Sequence, residues 1–312
     1  MTTLLLSHPD CLEHDTGELH PECADRLKAI THILEHEDFF YLARDAAPEA
    51  TLEQLLRAHT QAHVDRVLGA IPKPGDYHEF DSDTVASSGS GKAALRAAGA
   101  VCAAIDDVMA GGSRNAFCAV RPPGHHAGRD SVEGFCLFSN AAVGALHAQA
   151  AHGIRRVAVV DFDVHHGNGT QDVLWNVPGT FYASTHQQDA YPYTGAMSET
   201  GPDGGCVVVN VPLPAGSGSD DFRTAYSDLI LPRLRDFAPE LLIISAGFDG
   251  HAADPMAHLR LQVADFDWVT RRLLEIAAES CGRRVVSVLE GGYDTRALAA
   301  CVASHVRVLM DA

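Results

Sequence analysis

The sequence lacks several features that would assign it to common classes of protein. None of its apolar runs approaches the ~20 residues that a membrane-spanning helix needs. Its eight cysteines are scattered without a CxxC pair, which argues against a zinc finger and against a disulfide framework. It has no GxSxG motif, no P-loop and no glycine-rich dinucleotide fingerprint. No basic region precedes the leucines near the amino terminus, so we expect no signal peptide and a reducing, cytoplasmic location.

Positive charge is also scarce. The 23 lysines and arginines are outnumbered by 41 acidic residues, which gives a formal net charge of −18. This balance disfavours direct nucleic-acid binding, because such binding needs a basic surface. It is consistent either with a cationic substrate or with general solubility, and the composition does not separate the two. The 18 histidines justify a search for clusters.

Short apolar runs alternate with helical patterns along the whole chain. Such an alternation is typical of a parallel sheet with helices on both faces. Because no linker or repeat divides the chain, we predict an α/β fold with a single domain over residues 1–312. The runs predicted as strands are Thr3–Leu6, Phe117–Val120, Val157–Val160, Phe181–Ala183, Val207–Val211, Leu241–Ile244 and Val285–Leu289.

The helical patterns lie between most of these runs. Pro232 falls inside one pattern and predicts that this helix is kinked or divided. Glycine- and proline-rich loops follow several of the predicted strands, and open parallel sheets bind ligands beyond the carboxyl ends of their strands. The predicted helices are Gly91–Ala110, Asn140–Ala151, Asp220–Arg235, Ala264–Ser280 and Thr295–Leu309.

The segment VAVVDFDVHHGNGT, residues 157–170, is the most informative part of the chain. Its apolar beginning predicts a buried strand, and Asp161, Asp163 and His165 follow at intervals of two residues. On an extended strand, side chains at this spacing share one face. The glycines that follow indicate a turn. A carboxylate and an imidazole at such a strand end are part of the ligand set of a catalytic zinc site.

A third ligand candidate follows another predicted strand. Asp249 stands at the end of the run LLIISAGFD, directly before a glycine, where an isolated aspartate usually forms a turn. If the two strand ends are neighbours in the sheet, Asp163, His165 and Asp249 leave one position open for water. That arrangement is typical of catalytic rather than structural zinc sites.

Adjacent histidines supply candidate acid–base groups. His125 and His126 follow the stiff segment RPPG, although a histidine pair alone is a weak signal and often lies in solvent. Neutral imidazole is the usual general base near pH 7, and a carboxylate partner commonly fixes its tautomer. Asp161 is left over when Asp163 and His165 bind metal, so we pair it with His125.

Two aromatic residues complete the candidate site. Tyr293 follows two glycines after a predicted strand and is suited to donate a hydrogen bond to an oxyanion, although alone it indicates only packing. Phe135, near the histidine pair, would wall an apolar channel, although most phenylalanines lie in cores. Together these motifs predict metal-assisted hydrolysis of a carbonyl compound, in which a metal activates water and a histidine removes its proton.

The motifs RPPGHHA, DFDVHHGNGT, AGFD and LEGGY, in this order and spacing, resemble the zinc-dependent histone deacetylase family. The resemblance extends from HPECADRL near residue 20 to the C-terminal helix. It implies an arginase-like α/β fold with a central, mostly parallel, eight-stranded sheet. It further implies hydrolysis of N-acyl amides, usually acetyl-lysine side chains of proteins or peptides, with release of acetate.

The resemblance also assigns the metal ligands. Zinc would be bound by Asp163, His165 and Asp249, although the ligand set is equally compatible with iron or cobalt. The family binds potassium beside the zinc strand, and the inner potassium site would use Ser184 together with carbonyl groups. The potassium residues implied by the resemblance are Asp161, Asp163, His165, Ser184 and Thr185.

The resemblance divides the remaining catalytic roles. It makes His126 the base, His125 a more electrostatic partner oriented by Asp161, and Tyr293 the residue that polarises the carbonyl. Asn168 stands where some members have aspartate, which resembles the class II branch. We expect this asparagine to leave His126 without a charged partner and to change its pKa in an undetermined direction.

A substrate channel is implied as well. Tyr191 falls where the opposite wall is usually phenylalanine, and its hydroxyl would make the mouth more polar. Met256 falls at a gatekeeper position where polyamine-specific relatives can carry glutamate, which argues against polyamines. The substrate-binding residues implied by the resemblance are Gly134, Phe135, Tyr191, Met256 and Asp81, with Asp83 as the alternative to Asp81 at the rim.

Three other functions compete with hydrolysis of acetyl-lysine. An acetylpolyamine or other small-amide hydrolase is compatible with the acidic composition. A binuclear ureohydrolase would need more carboxylates, and after Asp249 the next acid is Asp254, five residues on. A metal-holding sensor without activity is disfavoured, because every proposed catalytic position is filled. We expect no binding to nucleic acid or membrane, and the sequence does not give an oligomeric state.

Overall fold

Residues 2–312 are described by a computed structural model, whose centre is an eight-stranded sheet. Every pair of neighbouring strands in this sheet is parallel. The strand order is β2-β1-β5-β10-β9-β6-β7-β8, with a separate antiparallel hairpin of β3 and β4. The strands are β1 Thr3–Ser7, β2 Ala43–Ala46, β3 His78–Glu79, β4 Val85–Ala86, β5 Asn115–Cys118, β6 Val157–Asp161, β7 Thr180–Gln187, β8 Val207–Leu213, β9 Leu241–Ala246 and β10 Val285–Leu289.

Helices cover both faces of the sheet. Asn115 and Phe117 of β5 contact the C-terminal helix, since the Asn115 amide donates to the Leu309 carbonyl and Phe117 packs on His305. Cys118, on the opposite face of the strand, lies beside Cys102. The helices are α1 Ala24–Leu34, α2 Leu52–Ala58, α3 Gln61–Gly69, α4 Ser90–Ala110, α5 Asn140–His152, α6 Asn168–Leu174, α7 Ser219–Thr224, α8 Leu231–Phe237, α9 Val263–Ser280 and α10 Thr295–Asp311.

The predicted α/β fold with an eight-stranded sheet is confirmed. The helix predicted over Asp220–Arg235 is divided, because a π-helical turn over Ala225–Ile230 separates α7 from α8. Pro232 is the second residue of α8, where its missing N–H is tolerated. Within residues 2–312, no helix is both long and apolar enough to cross a membrane. All eight cysteines are free thiols.

The strand predicted over Phe117–Val120 was wrong in its bounds, since β5 begins and ends two residues earlier. Asn115 is polar but fully buried, and its side-chain hydrogen bond makes it acceptable within the sheet. The prediction missed β2 altogether. This edge strand has the sequence Ala-Arg-Asp-Ala and is largely exposed, so it has no apolar pattern to detect.

Parallel pairing brings the carboxyl ends of the central strands to one edge of the sheet. Asp161, the last residue of β6, is in register with Ser245 of β9 and Ser184 of β7. The loops after β5, β6, β9 and β10 therefore meet at this edge, as expected for ligand sites in such sheets.

Candidate active site

Three buried side chains from two of these loops form a compact group of metal-ligand type. Atoms of Asp163, His165 and Asp249 all lie within 4.8 Å of one another. His165 Nδ1 is 3.0 Å from Asp163 Oδ1 and 3.1 Å from Asp249 Oδ2. The structure thus brings together the three residues that the sequence analysis nominated as ligands.

The backbone that carries this group is irregular, which corrects one expectation. Asp161 ends β6, so Asp163 and His165 lie beyond the strand and do not share its alternation. Beyond the end of the strand, side-chain carboxylates accept the backbone N–H groups. Asp161 Oδ1 accepts from the Asp163 N–H, and Asp163 Oδ1 accepts from the His165 N–H. Asp249 Oδ1 accepts from the Val164 N–H at 2.8 Å and ties the two loops together.

A glycine loop closes over the same carboxylates. The Gly291 N–H donates to Asp163 Oδ2 at 2.8 Å. A Cβ on Gly291 would collide with the Oδ2 atoms of both Asp163 and Asp249. Gly291, the first glycine of LEGGY, is therefore required for the close approach of the backbone to the two carboxylates.

The group has the dimensions and charge that suit a divalent metal ion. Ligand atoms bonded at about 2.0–2.1 Å to a tetrahedral ion lie about 3.3 Å apart, close to the separations observed here. Burial, together with the charge of Asp163, raises the pKa of Asp249 to about 7. Two buried carboxylates packed this closely are unfavourable unless a cation neutralises them. Two carboxylates and one imidazole therefore fit a zinc-type ion.

The tandem histidines lie next to this group with different partners. His125 Nδ1 donates to Asp161 Oδ2 at 3.0 Å, which is the pairing that the sequence analysis proposed. Burial lowers the pKa of His125, but the charges of Asp163 and Asp161 outweigh it and raise the pKa to about 10. The His126 ring centroid lies 4.0 Å from that of His125 and 6.0 Å from that of His165.

His126 is the histidine that stays neutral. Burial, followed by the neighbouring charges of His125 and His165, holds its pKa well below the ordinary 6.5. Its Nδ1 lies 2.7 Å from Asn168 Oδ1. Asn168 Nδ2 in turn donates to Glu133 Oε1 at 2.5 Å. The direct partner of His126 is therefore neutral, as expected from Asn168, and a carboxylate follows one hydrogen bond further on.

A buried glutamate that the sequence analysis missed supports the histidine loop. Glu290 Oε2 accepts from the backbone N–H groups of Gly124 at 2.7 Å and His125 at 3.1 Å. The Ser245 hydroxyl donates to Glu290 Oε1. Burial raises the pKa of Glu290 to about 7. Because Glu290 precedes the glycine pair, it connects the histidine loop to the loop of Tyr293.

Tyr293 is positioned by two residues that the sequence analysis did not assign. The Arg26 guanidinium lies 4.8 Å from the centre of the Tyr293 ring, and it donates to the carbonyls of Gly292 and Glu290. Asp254 Oδ2 accepts from the Tyr293 N–H at 2.6 Å. Burial raises the pKa of the Tyr293 hydroxyl well above 10, although the Arg26 charge opposes this. The phenol is therefore protonated and available as a donor.

The two aromatic side chains that were predicted to wall a channel lie beside the histidines and Tyr293. The Phe135 ring centroid is 5.9 Å from that of Tyr293, and the Tyr191 centroid is 5.1 Å from that of His126. Gly134 and Phe135 adopt positive φ angles of 57° and 70°, and a Cβ on Gly134 would collide with the His126 ring. The turn that presents Phe135 thus needs glycine directly before it.

The rim candidates lie around these walls. Asp81 Oδ1 accepts from the Thr84 N–H at 2.7 Å, and the Thr84 hydroxyl accepts from the Phe135 N–H. Asp81 therefore supports the Phe135 wall through Thr84. Met256 is 37% exposed, and its N–H donates to Asp254 Oδ1. Asp254 thereby links Met256 to the loop of Tyr293.

Two of the five residues implied for potassium, Ser184 and Thr185, lie on the neighbouring strand β7. Ser184 of β7 is opposite Asp161 in the register, and its hydroxyl is 2.9 Å from His186 Nδ1. The Thr185 hydroxyl is buried and has no hydrogen-bond partner among the described residues 2–312.

A second group of ligand-type side chains lies away from this site. The Nε2 atoms of His147 and His152 are 2.7 and 2.6 Å from Asp106 Oδ1. Arg57 Nη1 lies 2.5 Å from His147 Nδ1. A guanidinium only donates, so His147 Nδ1 accepts and its proton resides on Nε2, where it is given to Asp106. This arrangement indicates a hydrogen-bonded contact between helices rather than a metal site.

Comparison with known proteins agrees with the geometry. The family model described as the histone deacetylase domain matches residues 20–309. The chain belongs to the histone deacetylase family. Among its relatives in this family, Histone deacetylase 14, chloroplastic, of Arabidopsis thaliana is 38% identical over 98% of this chain and 76% of the relative. The Histone deacetylase-like amidohydrolase of Pseudomonas aeruginosa is 38% identical over 88% of this chain and 71% of the relative.

A solved structure of the histone deacetylase family supports the fold over the full length. The crystal structure of the HDA15 HD domain superposes with a TM-score of 0.92 at 38% identity, and it covers 100% of this chain and 89% of that chain. Family membership makes this chain a hydrolase of the deacetylase and amidohydrolase kind that acts on acetylated substrates.

Proposed function

We propose that this chain is a zinc-dependent deacetylase that hydrolyses N-acetyl and related N-acyl amides, with acetyl-lysine side chains of proteins or peptides as its main substrate. Residues 1–312 would act as one catalytic domain. The observation that carries the proposal is the convergence of Asp163, His165 and Asp249 within 4.8 Å, beside a neutral His126 and a protonated Tyr293.

The proton transfers fall to the tandem histidines. When bound, zinc would lower the pKa of a water molecule and polarise a carbonyl group. His126 is neutral, and its Nδ1 is occupied by Asn168, so its Nε2 is the atom that accepts a proton from the attacking water. As the C–O bond forms and the C–N bond breaks, the same proton passes to the leaving amine. His125, paired with Asp161, favours its protonated form and stabilises developing negative charge.

Tyr293 stabilises the oxyanion. Its hydroxyl stays protonated because burial raises its pKa well above 10. The phenol therefore donates a hydrogen bond to the carbonyl oxygen as negative charge develops there. Arg26 and Asp254 hold the loop of Tyr293 from two sides, which reduces the reorganisation needed during the reaction.

A small acetylated amine is the alternative substrate. Burial, followed by the charges of Glu133, Asp83 and Asp81 among others, raises the pKa of Tyr191. These three acids therefore lie near Tyr191, where they would attract a cation. The apolar Met256 argues against a dedicated site for a second ammonium group. Turnover of an acetyl-lysine peptide should exceed that of N-acetylputrescine in kcat/KM. A clear preference for N-acetylputrescine would overturn the assignment of the substrate.

A binuclear hydrolase is less well supported. Asp254, the next acid after Asp249, already accepts hydrogen bonds from the backbone N–H groups of Met256, Tyr293 and Asp294. It is therefore engaged in holding loops. We propose one zinc ion per chain, with a potassium ion near Ser184, and metal analysis that finds two transition-metal ions per chain would contradict this.

A further inference from the structure

The side chain of Asn168 lies between the histidine proposed as the base and a carboxylate. His126 Nδ1 is 2.7 Å from Asn168 Oδ1, and Asn168 Nδ2 is 2.5 Å from Glu133 Oε1. Glu133 is only half-buried and belongs to none of the motifs that carry the chemistry. It is nevertheless the only charged group bonded to Asn168 among residues 2–312.

The donor and acceptor chemistry of Glu133, Asn168 and His126 fixes the direction of both hydrogen bonds between them. An ionised carboxylate only accepts, so Asn168 must direct its NH₂ group towards Glu133 and its carbonyl oxygen towards His126. That oxygen also only accepts, so His126 Nδ1 must carry the proton. The lone pair of His126 is then on Nε2, the atom that a general base needs. An asparagine without the carboxylate is free to rotate by 180° and to donate to Nδ1 instead.

The backbone holds Glu133 in this position. The Cys136 N–H donates to the Glu133 carbonyl at 3.0 Å and closes a tight turn through Gly134 and Phe135. The Phe135 N–H is bonded to the Thr84 hydroxyl, so the turn is also tied to the hairpin region. The same turn thus presents both the Phe135 ring, 5.9 Å from that of Tyr293, and the carboxylate that bonds to Asn168.

We propose that Glu133 is a positioning residue, which orients the Asn168 amide and thereby fixes the tautomer of His126 with its lone pair on Nε2. The inference rests on the proposed deacetylase function, in which His126 is the base. It assigns to this chain a carboxylate-to-asparagine-to-histidine relay, in which the carboxylate comes from the turn that presents the Phe135 wall.

The first test is Glu133→Gln in the zinc-loaded protein. The introduced amide can donate as well as accept, so the Asn168 side chain is no longer held in one orientation. We expect kcat to fall about 10- to 100-fold, as for other groups that orient catalytic side chains, with KM nearly unchanged. Asp189→Asn is the matched control, because Asp189 is an exposed acid two residues from Tyr191, and its loss removes the same charge. This control should keep the wild-type kcat.

The second test is a rescue. Asn168→Asp alone brings a carboxylate against Glu133, and the two like charges repel, so kcat should also fall. In the double variant E133Q/N168D, the amide introduced at position 133 donates to the carboxylate introduced at position 168, which still accepts from His126 Nδ1. The double variant should therefore have a higher kcat than either single variant. If the two residues only stabilised the fold, the kcat losses of the two single variants would multiply in the double variant.

Three results would overturn the inference: a wild-type kcat for E133Q, a double variant no faster than the faster of the two single variants, or a tautomer of His126 that is unchanged in E133Q. The tautomer is read independently of turnover from the ¹⁵N chemical shifts of His126, which should report Nδ1–H in the wild type and a mixture in E133Q. If the wild-type protein releases no acetate, the proposed function fails, while the ¹⁵N measurement still decides the role of Glu133.

Discussion

Glu22 is the centre of a buried charge network that reaches the catalytic loop. Its side chain is fully buried and accepts from Arg121 Nε and Nη2, both at 2.6 Å, and from Arg26 Nη1 at 2.9 Å. Arg26 also holds the carbonyl of Gly292 at 2.6 Å and packs on the Tyr293 ring. Replacing Glu22 with glutamine should therefore reduce stability and loosen the loop that carries Tyr293.

The size of the effect follows from burial. Glu22→Gln keeps the shape of the side chain but leaves two buried guanidinium groups facing a neutral amide. Removing one partner of a buried ion pair reduces the free energy of unfolding by about 3–5 kcal/mol. An unfolding entropy of about 2.1 cal/mol/K per residue, over 312 residues, converts this loss into a fall in Tm of about 5–8 °C.

Glu53→Gln is a matched control for this variant. The Glu53–Arg57 pair has the same i,i+4 spacing as Glu22–Arg26, and its N···O distance of 2.8 Å is nearly equal to the 2.9 Å of the buried pair. The Glu53 side chain is 82% exposed, so its loss should change the free energy of unfolding by about 0.5 kcal/mol or less. Urea and thermal unfolding of both variants measure the difference. Equal stability of the two variants would refute the reasoning.

The difference in the free energy of unfolding between wild type and E22Q should depend on pH in one direction. Burial alone would raise the pKa of Glu22, but the charge and hydrogen bonds of Arg121 hold it well below its usual range. A carboxyl group whose pKa is lower in the folded state contributes its full stability above the unfolded pKa of about 4.3, and loses it as the pH falls. The gap in stability between wild type and E22Q should therefore be constant from pH 6 to 8 and shrink only in acid.

Two further variants test the catalytic assignments. Tyr293→Phe should retain zinc by metal analysis, and its kcat should fall about 10²- to 10³-fold because the hydroxyl that donates to the oxyanion is lost; a wild-type kcat would remove Tyr293 from the mechanism. Met256→Glu adds a carboxylate near the Tyr293 loop, at a position that is 37% exposed. The ratio of kcat/KM for N-acetylspermidine to kcat/KM for an acetyl-lysine peptide should therefore rise, because the carboxylate attracts the second ammonium group. The neutral variant M256Q should leave this ratio unchanged. Equal ratios for M256E and M256Q would contradict this location for the second ammonium group.

The sheet was predictable wherever a strand is buried on both faces. The prediction for β10 agrees residue for residue, because Val285–Leu289 is wholly apolar apart from Ser287. The edge strand β2 escaped detection, since its exposed Arg44 and Asp45 follow no apolar pattern. Short helices such as α6 were also missed, because Asn168–Leu174 follows the glycine turn directly and lacks an amphipathic repeat.

The site residues that belong to local sequence motifs were predictable, whereas the residues that hold them in place through long-range hydrogen bonds were not. Asp163 and His165 lie two residues apart after one apolar strand, and Asp249 follows a second apolar strand in the same way. Glu290 and Arg26 reach partners 166 and 266 residues away, so no spacing in the sequence points to them. The Asn168–Glu133 bond joins a motif residue to a residue of ordinary appearance, and only the folded loops bring the two together.

The central claim is that one zinc ion, bound by Asp163, His165 and Asp249, is needed for deacetylation. The most direct measurement is acetate release from an acetyl-lysine peptide while zinc is titrated into protein stripped with a chelator. The rate should rise in proportion to added zinc and reach a plateau at one equivalent per chain, and Asp249→Asn should show no such rise. Full activity of the stripped protein, or a plateau only at two equivalents, would contradict the account.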